Sequence, residues 1–483
     1  FGSSNFCPSL EFPGSVSLLA PSTSLAASLT DSNPCFSKLP SMFGRLSGAE
    51  ALTKNRPRGA SFELEAGNAN GASQQQGSSL PTAIINLSKN IIGAGMLSLP
   101  YGVKGAGLVP FLLGITTMGI LNAYTFFLLG FCCRLVGASS FGQLWAKTFG
   151  EKSAWVADLS VSLNNGLACL AYCVLIGDFI SKSLVQLCPN MTQLHSRQVD
   201  LILIGAVMLV PLSLLKDLTA LRFSSIAGLC ATLYGFMLLV FDSILGSGDS
   251  GALKQNLFPL RVDFFATLAL CSSAFMAHYN SPKFYSDLQD NTMKRFGILV
   301  LSSYSLALFA FTIFGVCGFA RFGFKVEGNV LKNYENRVDV MLAWLGMAFS
   351  VVFTFPLVFN TFREASSSLL FRLVRVSESS KAKLRTPYTA IAVAMAVLGG
   401  IVFDNVAIVN GIKGAVLSAC LAFIYPAIIH LRLSTFPNIQ RSSPGMRFIS
   451  ACLIAVGLAS GVLALLAMFV FEKTDFSRVD ADR

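Results

Sequence analysis

The chain has 483 residues, of which 53% are hydrophobic and 13% charged, with a formal net charge of +11 and a mean hydropathy of +0.63. Soluble globular domains carry about a quarter of their residues as charges, so this composition excludes that class and specifies a polytopic membrane protein. The positive charge is spread over loops and is not gathered with aromatics into a stripe, which excludes nucleic acid as a partner and points to membrane orientation and contact with the lipid bilayer.

Residues 1–80 are rich in Ser, Gly, Ala, Pro and Gln, as in Gly71-Ala-Ser-Gln-Gln-Gln-Gly-Ser-Ser79, and lack sustained periodicity; this predicts a disordered N-terminal tail. Residues 81–472 read as one membrane domain and 473–483 as a short C-terminal tail. Eleven apolar segments lie near 82–103, 106–133, 153–180, 199–215, 221–245, 262–285, 294–320, 338–362, 386–403, 406–431 and 446–471. Their lengths suit a hydrocarbon core about 30 Å thick. Lys and Arg are more frequent on the side that bears the N-terminus, above all in the loop 363–385, so the positive-inside rule predicts a cytoplasmic N-terminus. Asn190-Met-Thr192 is a glycosylation sequon on the opposite side. Of the twelve cysteines, nine lie in apolar runs, where the residue serves as a small hydrophobe, and no C-x-x-C metal or redox pattern occurs.

The first segment is interrupted halfway by Gly93-Ala94-Gly95, with Pro100 beyond; the sixth is interrupted by Ser272-Ser273, His278, Asn280 and Pro282. Backbone freed from a helix inside hydrocarbon costs several kcal/mol per group unless it faces protein, water or a ligand. Breaks at corresponding places in two halves predict a transporter with a 5+5 inverted repeat, broken helices 1 and 6, and an accessory helix 11. The half-helix after Gly95 offers unpaired N–H groups and a positive dipole end to a carboxylate, while the carbonyl end before Gly93 suits a cation or an ammonium. A small zwitterionic amino acid satisfies both ends. The expected substrate contacts are Ile92, Gly93, Ala94, Gly95 and Met96, completed by Ser272, Ser273, Phe275 and Tyr172 of the third span.

The stretch Asn86-Leu-Ser-Lys-Asn-Ile-Ile-Gly-Ala-Gly-Met-Leu-Ser-Leu-Pro100 resembles the first-helix motif of the amino acid/auxin permease family, within the amino acid-polyamine-organocation superfamily. Ala274-Phe-Met-Ala-His278 with Tyr285-Ser-Asp-Leu288 is similar to the sixth-helix pattern of the sodium-coupled neutral amino acid transporters, although Tyr279 replaces their proline. Val352-Phe-Thr354-Phe-Pro356 resembles their eighth helix, which implies a sodium position near Ile92, Ser350 and Thr354. Against sodium stands Lys89, where sodium-coupled members carry a ligating asparagine and proton-coupled members a lysine. Its ammonium would repel a second cation in a low-dielectric site and is a candidate proton carrier. The expected coupling ion is therefore a proton first and sodium second, with no cofactor. His278 is a further candidate coupling residue, and a fixed hydrogen bond is its plainer use.

No P-loop and no catalytic constellation occurs, so the chain is expected not to be an enzyme. The expectation is a secondary active transporter in the plasma membrane or an endomembrane, with an amino-acid-sensing receptor as the rival of another class.

Overall fold

The computed structural model describes residues 77–188, 190, 196–215, 222–246, 250–259, 261–374, 378–439 and 442–479. The tail expected over 1–80 lies outside these residues except for 77–80, as do Met191 and Thr192 of the sequon, whose Asn190 is exposed in a turn. Regular structure among the described residues is helical, apart from an isolated parallel bridge between Ser78 and Leu288. Helix is the element that satisfies its backbone within one segment, which hydrocarbon demands.

In chain order the helices are α1 (Leu80–Ile91), α2 (Leu99–Ala106), α3 (Leu108–Val136), α4 (Phe141–Phe149), α5 (Ala154–Leu187), α6 (Arg197–Ile204), α7 (Val210–Leu214), α8 (Arg222–Leu245) and α9 (Ser250–Gln255). They continue as α10 (Asp263–Ala274), α11 (Ser281–Ser286), α12 (Met293–Phe322), α13 (Val338–Val374), α14 (Glu378–Val402), α15 (Val406–Lys413), α16 (Tyr425–Leu433) and α17 (Pro444–Val479). A π-helical stretch, Gly205–Leu209, joins α6 to α7, and another, Gly414–Ile424, joins α15 to α16. Among the described residues, nine helical stretches are long and apolar enough to cross a membrane. Large apolar side chains on their outer faces are open, Phe309 at 66%, Met395 at 67% and Phe448 at 71%, a surface fitted to lipid and not to water.

Several helices outrun the hydropathy pattern. α5 continues to Leu187 and α13 to Val374, α14 begins at Glu378, and α17 runs through most of the expected 473–483 tail. Hydropathy registers the stretch matched to hydrocarbon, whereas Arg, Lys and Glu extend a helix readily once it reaches the headgroup layer.

The first and sixth apolar segments are both interrupted, as their composition predicts. α1 ends at Ile91, Ile92 (φ −78°, ψ 85°) and Gly93 (φ −123°, ψ −166°) leave the helix, and a 3-10 turn over Ala94–Ser98 leads into α2. α10 ends at Ala274, and a 3-10 turn over His278–Asn280 leads into α11. Pro100 and Pro282 each fall in the first turn of the restarted helix. A ring without an N–H loses no intrahelical bond there, so proline marks a restart where in mid-helix it would mark a kink.

The tail end carries Leu80 of α1; the loop end carries Ala106 of α2 and the connection 323–337, whose Val326 carbonyl accepts from Lys104 Nζ at 3.5 Å.

Candidate functional site

The two breaks meet. A Cβ built on Gly95 lies 3.9 Å from Ala274 Cα, at the end of α10, whereas a Cβ on Gly93 meets nothing within 4 Å. The small residues thus leave open space beside unwound backbone. Ile92 N donates to Ser88 O at 2.7 Å and Gly93 N to Ile91 O at 2.9 Å; the next bond of the turn is Met96 N to Gly93 O at 3.2 Å. The N–H groups of Ala94 and Gly95 precede that first bond, as the leading N–H groups of any helical turn do, and are available to an acceptor.

The second break is riveted to its neighbours. His278, wholly buried, sets Nε2 at 3.1 Å from Asn122 O and 2.9 Å from Thr125 Oγ1. Asn122 O can only accept, and Thr125 itself donates to Leu121 O at 2.9 Å, so Nε2 carries the proton and Nδ1 is a buried acceptor with no partner. Ser281 Oγ donates to Phe126 O at 2.7 Å, and Tyr304 Oη to Phe275 O at 3.4 Å. These bonds fix the break against α3 and α12. They hold the His278 ring in fixed contacts with α3.

The other expected site residues are placed differently from one another. Ala94, Met96, Ser272 and Ser273 are buried at the junction, Ile92 is half-buried there, and Ser272 Oγ has no hydrogen-bond partner. Tyr172 on α5 is half-buried and within electrostatic reach of Tyr279 of the second break. Phe275 lends its backbone to the break, but its ring is fully buried against Tyr304 and Phe311, at centroid distances of 6.1 and 5.1 Å. On α13, Ser350 Oγ lies 3.4 Å from Thr232 Oγ1 of α8, and Thr354 Oγ1 donates back to Ser350 O at 2.7 Å, so both hydroxyls are engaged on that side of the molecule. Lys89 is half-buried in the last turn of α1, one turn before Gly93. No cluster of three His, Cys, Asp or Glu fit to hold a metal occurs among the described residues.

Two features were not legible as site features. Lys413 sits two turns inside the stretch that begins at Val406, where α15 gives way to π-helix. Its neighbours touch both broken segments: Asn410 Nδ2 is 3.5 Å from Ser98 Oγ, and a Cβ on Gly414 would lie 1.9 Å from Ala269 O. The second is a cavity of about 310 Å³ at the tail end, between α1 and α11. Asn86, Asn90, Asn280, Lys283 and Asp287 line it, a polar wall running from the breaks toward Ser78. Ser78 N donates to Asp287 O at 2.7 Å, and Gln289 N to Ser78 O at 3.0 Å, so a two-bond backbone strap closes one edge.

Long apolar helices and two interrupted segments that touch mark a membrane transporter. The sequence profile of the family described as "Transmembrane amino acid transporter protein" matches residues 76–470, and the chain belongs to that family. It is 24% identical over 409 residues to "Amino acid transporter AVT6E" of Arabidopsis thaliana, covering 80% of this chain and 83% of that protein. It is 25% identical over 402 residues to "Putative sodium-coupled neutral amino acid transporter 11" of Danio rerio, covering 82% and 87%. Among solved structures, MhsT in complex with L-phenylalanine superimposes with a TM-score of 0.53 at 14% identity, covering 82% of this chain and all of that one. That likeness speaks to the fold alone.

Proposed function

We propose that the chain is a secondary active transporter that moves small neutral amino acids across a membrane by alternating access, coupled to protons. The observation that carries this reading is the contact of the two breaks at Gly95 and Ala274, with open space at Gly93. In this reading the substrate carboxylate accepts from the N–H groups of Ala94 and Gly95, and its ammonium faces the carbonyl end of α1. Ser272 and Tyr172 border the side-chain pocket. The nine unbroken stretches and the two broken ones make eleven spans, the first ten forming two inverted repeats of five and α17 an accessory. The N-terminus is cytoplasmic, the membrane a plasma membrane or an endomembrane, and Asn190 a glycosylation acceptor on the far side.

Proton coupling rests on Lys89, whose ammonium one turn before Gly93 repels any second cation placed beside the break. Sodium symport is the second reading, favoured by the name of the zebrafish relative and by the hydroxyls of Ser350 and Thr354 on α13. Uptake of radiolabelled neutral amino acids, one at a time, into liposomes holding the purified protein separates the two. A proton gradient alone is expected to drive wild-type uptake, and Lys89→Asn to abolish the proton dependence. Uptake driven by sodium and indifferent to pH in the wild type contradicts the proton reading.

A further inference from the structure

Asp178 lies toward the loop end of α5 with its side chain 1% exposed, and it has partners of two kinds. Arg197, the first residue of α6, donates Nε to Asp178 Oδ1 at 3.1 Å and spends its other N–H groups on Gly400 O at 2.9 Å and Val174 O at 3.2 Å. These bonds tie together α5, α6 and α14. The second kind comes from the connection 323–337. Asn329 Nδ2 donates to Asp178 Oδ2 at 3.3 Å, and Lys332 Nζ stands 3.8 Å from Oδ1. Asn329 Oδ1 also accepts from Leu331 N at 3.3 Å, and Lys332 N donates to Asn329 O at 2.9 Å, so the 3-10 turn Val330–Asn333 presents both groups as one unit.

That turn rests against the unwound stretch Ala94–Ser98. Val330 and Leu331 are buried, Val330 beside Gly318 where Pro100 also packs, and Trp344 Nε1 donates to Leu331 O at 2.9 Å. The foot of the connection is anchored elsewhere. Asp242 on α8 accepts from Arg321 Nε at 2.9 Å and from Arg337 at 3.0 Å, and Arg337 also pairs with Asp339. Hydrogen bonds to Asp339 and Asp242 hold the Arg337 guanidinium above its ordinary value, so this anchor is a permanent charge pair.

The two sides of Asp178 are unequal. Removing Arg197 takes the guanidinium from a buried carboxylate and unties three helices, leaving Asp178 with Asn329 and the Lys332 ammonium. Lifting the turn leaves Asp178 paired with Arg197 and returns Lys332 to water with Glu327, 3.3 Å away, still beside it.

We propose that Asp178 is a positioning residue that holds the Val330–Asn333 turn down over the first break, and that exchange of Asn329 and Lys332 for water opens the loop end while the Asp178–Arg197 pair persists. This goes beyond the transport reading and assumes nothing about the solute. Amide hydrogen exchange of the full chain in lipid nanodiscs, with no amino acid added, reads the latch itself. Asn329→Asp keeps an acceptor for Leu331 N–H but sets a like charge against Asp178. Amides of Val330–Asn333 should exchange at least about tenfold faster, while those of Ser78 and Gln289 at the tail end change by less than about twofold. Lys332→Met, a milder change, should give a smaller acceleration at the same amides. Unchanged exchange at Val330–Asn333 in Asn329→Asp, or equal acceleration at Gln289, overturns the proposal. None of these outcomes depends on which solute is moved.

Discussion

The two ends of the first broken helix are closed by different chemistry. At the loop end, a buried carboxylate, a guanidinium, an ammonium and a carboxamide converge around Asp178, and Trp344 adds a side-chain bond to the turn above the break. At the tail end, a cavity lies between α1 and α11, and the backbone strap from Ser78 to Asp287 and Gln289 spans its edge. Charges removed from water exact a large penalty when a partner is lost, whereas two backbone bonds at an exposed edge exchange with water at little net change. Among the described residues, the loop end is therefore the more strongly bonded of the two. The loop-end bonds are what the proposed alternating-access cycle has to replace.

The comparison breaks most visibly at Asp178. Asp178→Ala leaves Arg197 and Lys332 facing each other without their shared carboxylate, and should lower the stability of the folded protein by roughly 3–5 kcal/mol, read as a fall in the thermal midpoint in nanodiscs. The exposed pair Arg295–Asp290, at 4.0 Å near the tail end, has a ceiling of about 1 kcal/mol by the same reasoning. A drop at Asp178 no larger than that would mean the loop end is no more tightly held than the surface. The smallest effect belongs to the strap. A Cβ on Gly77 would lie 3.0 Å from Gln289 N and 3.1 Å from Asp287 O, so Gly77→Ala pushes the strap outward by a few tenths of an ångström. The thermal midpoint should move by no more than about 1–2 °C. The Gln289 amide should exchange faster while amides of the Val330–Asn333 turn stay protected. Simultaneous loosening of both ends would show that they are one cooperative unit and not two separate closures.

The fold was legible wherever the signal is local. Gly93-Ala94-Gly95, Pro100 and Pro282 act on their own backbone, so both interruptions could be read from the chain and the structure has them at those places. Family membership was legible for the same reason, because a contiguous run from Asn86 to Pro100 carries it. What could not be read depends on residues far apart. Asp178 meets Asn329 across 151 positions, and no periodicity within α5 forecasts that partner. The depth of Lys413 depends on where α15 begins, which Asn410-Gly-Ile-Lys blurs in any hydropathy window. The direction of the Phe275 ring follows from the exact turn after Ala274, which composition does not specify. Ser350 and Thr354 match a motif, but the Ser350 hydroxyl contact arises from the packing of α13 on α8, while Thr354 bonds back to its own helix.

The central claim is that open space and unpaired N–H groups at the first break receive the carboxylate of an amino acid. Gly93 has an ordinary φ of −123° and a Cβ there meets nothing within 4 Å, so Gly93→Val fills the space without straining the fold. Equilibrium binding of radiolabelled neutral amino acids to purified wild type and Gly93→Val, with thermal midpoints of both recorded, tests it directly. The account predicts saturable binding by the wild type and a loss of at least about a hundredfold in affinity for the variant at an unchanged midpoint, close to the 3 kcal/mol scale of a steric block plus lost backbone hydrogen bonds. Equal affinity in the two proteins would contradict it.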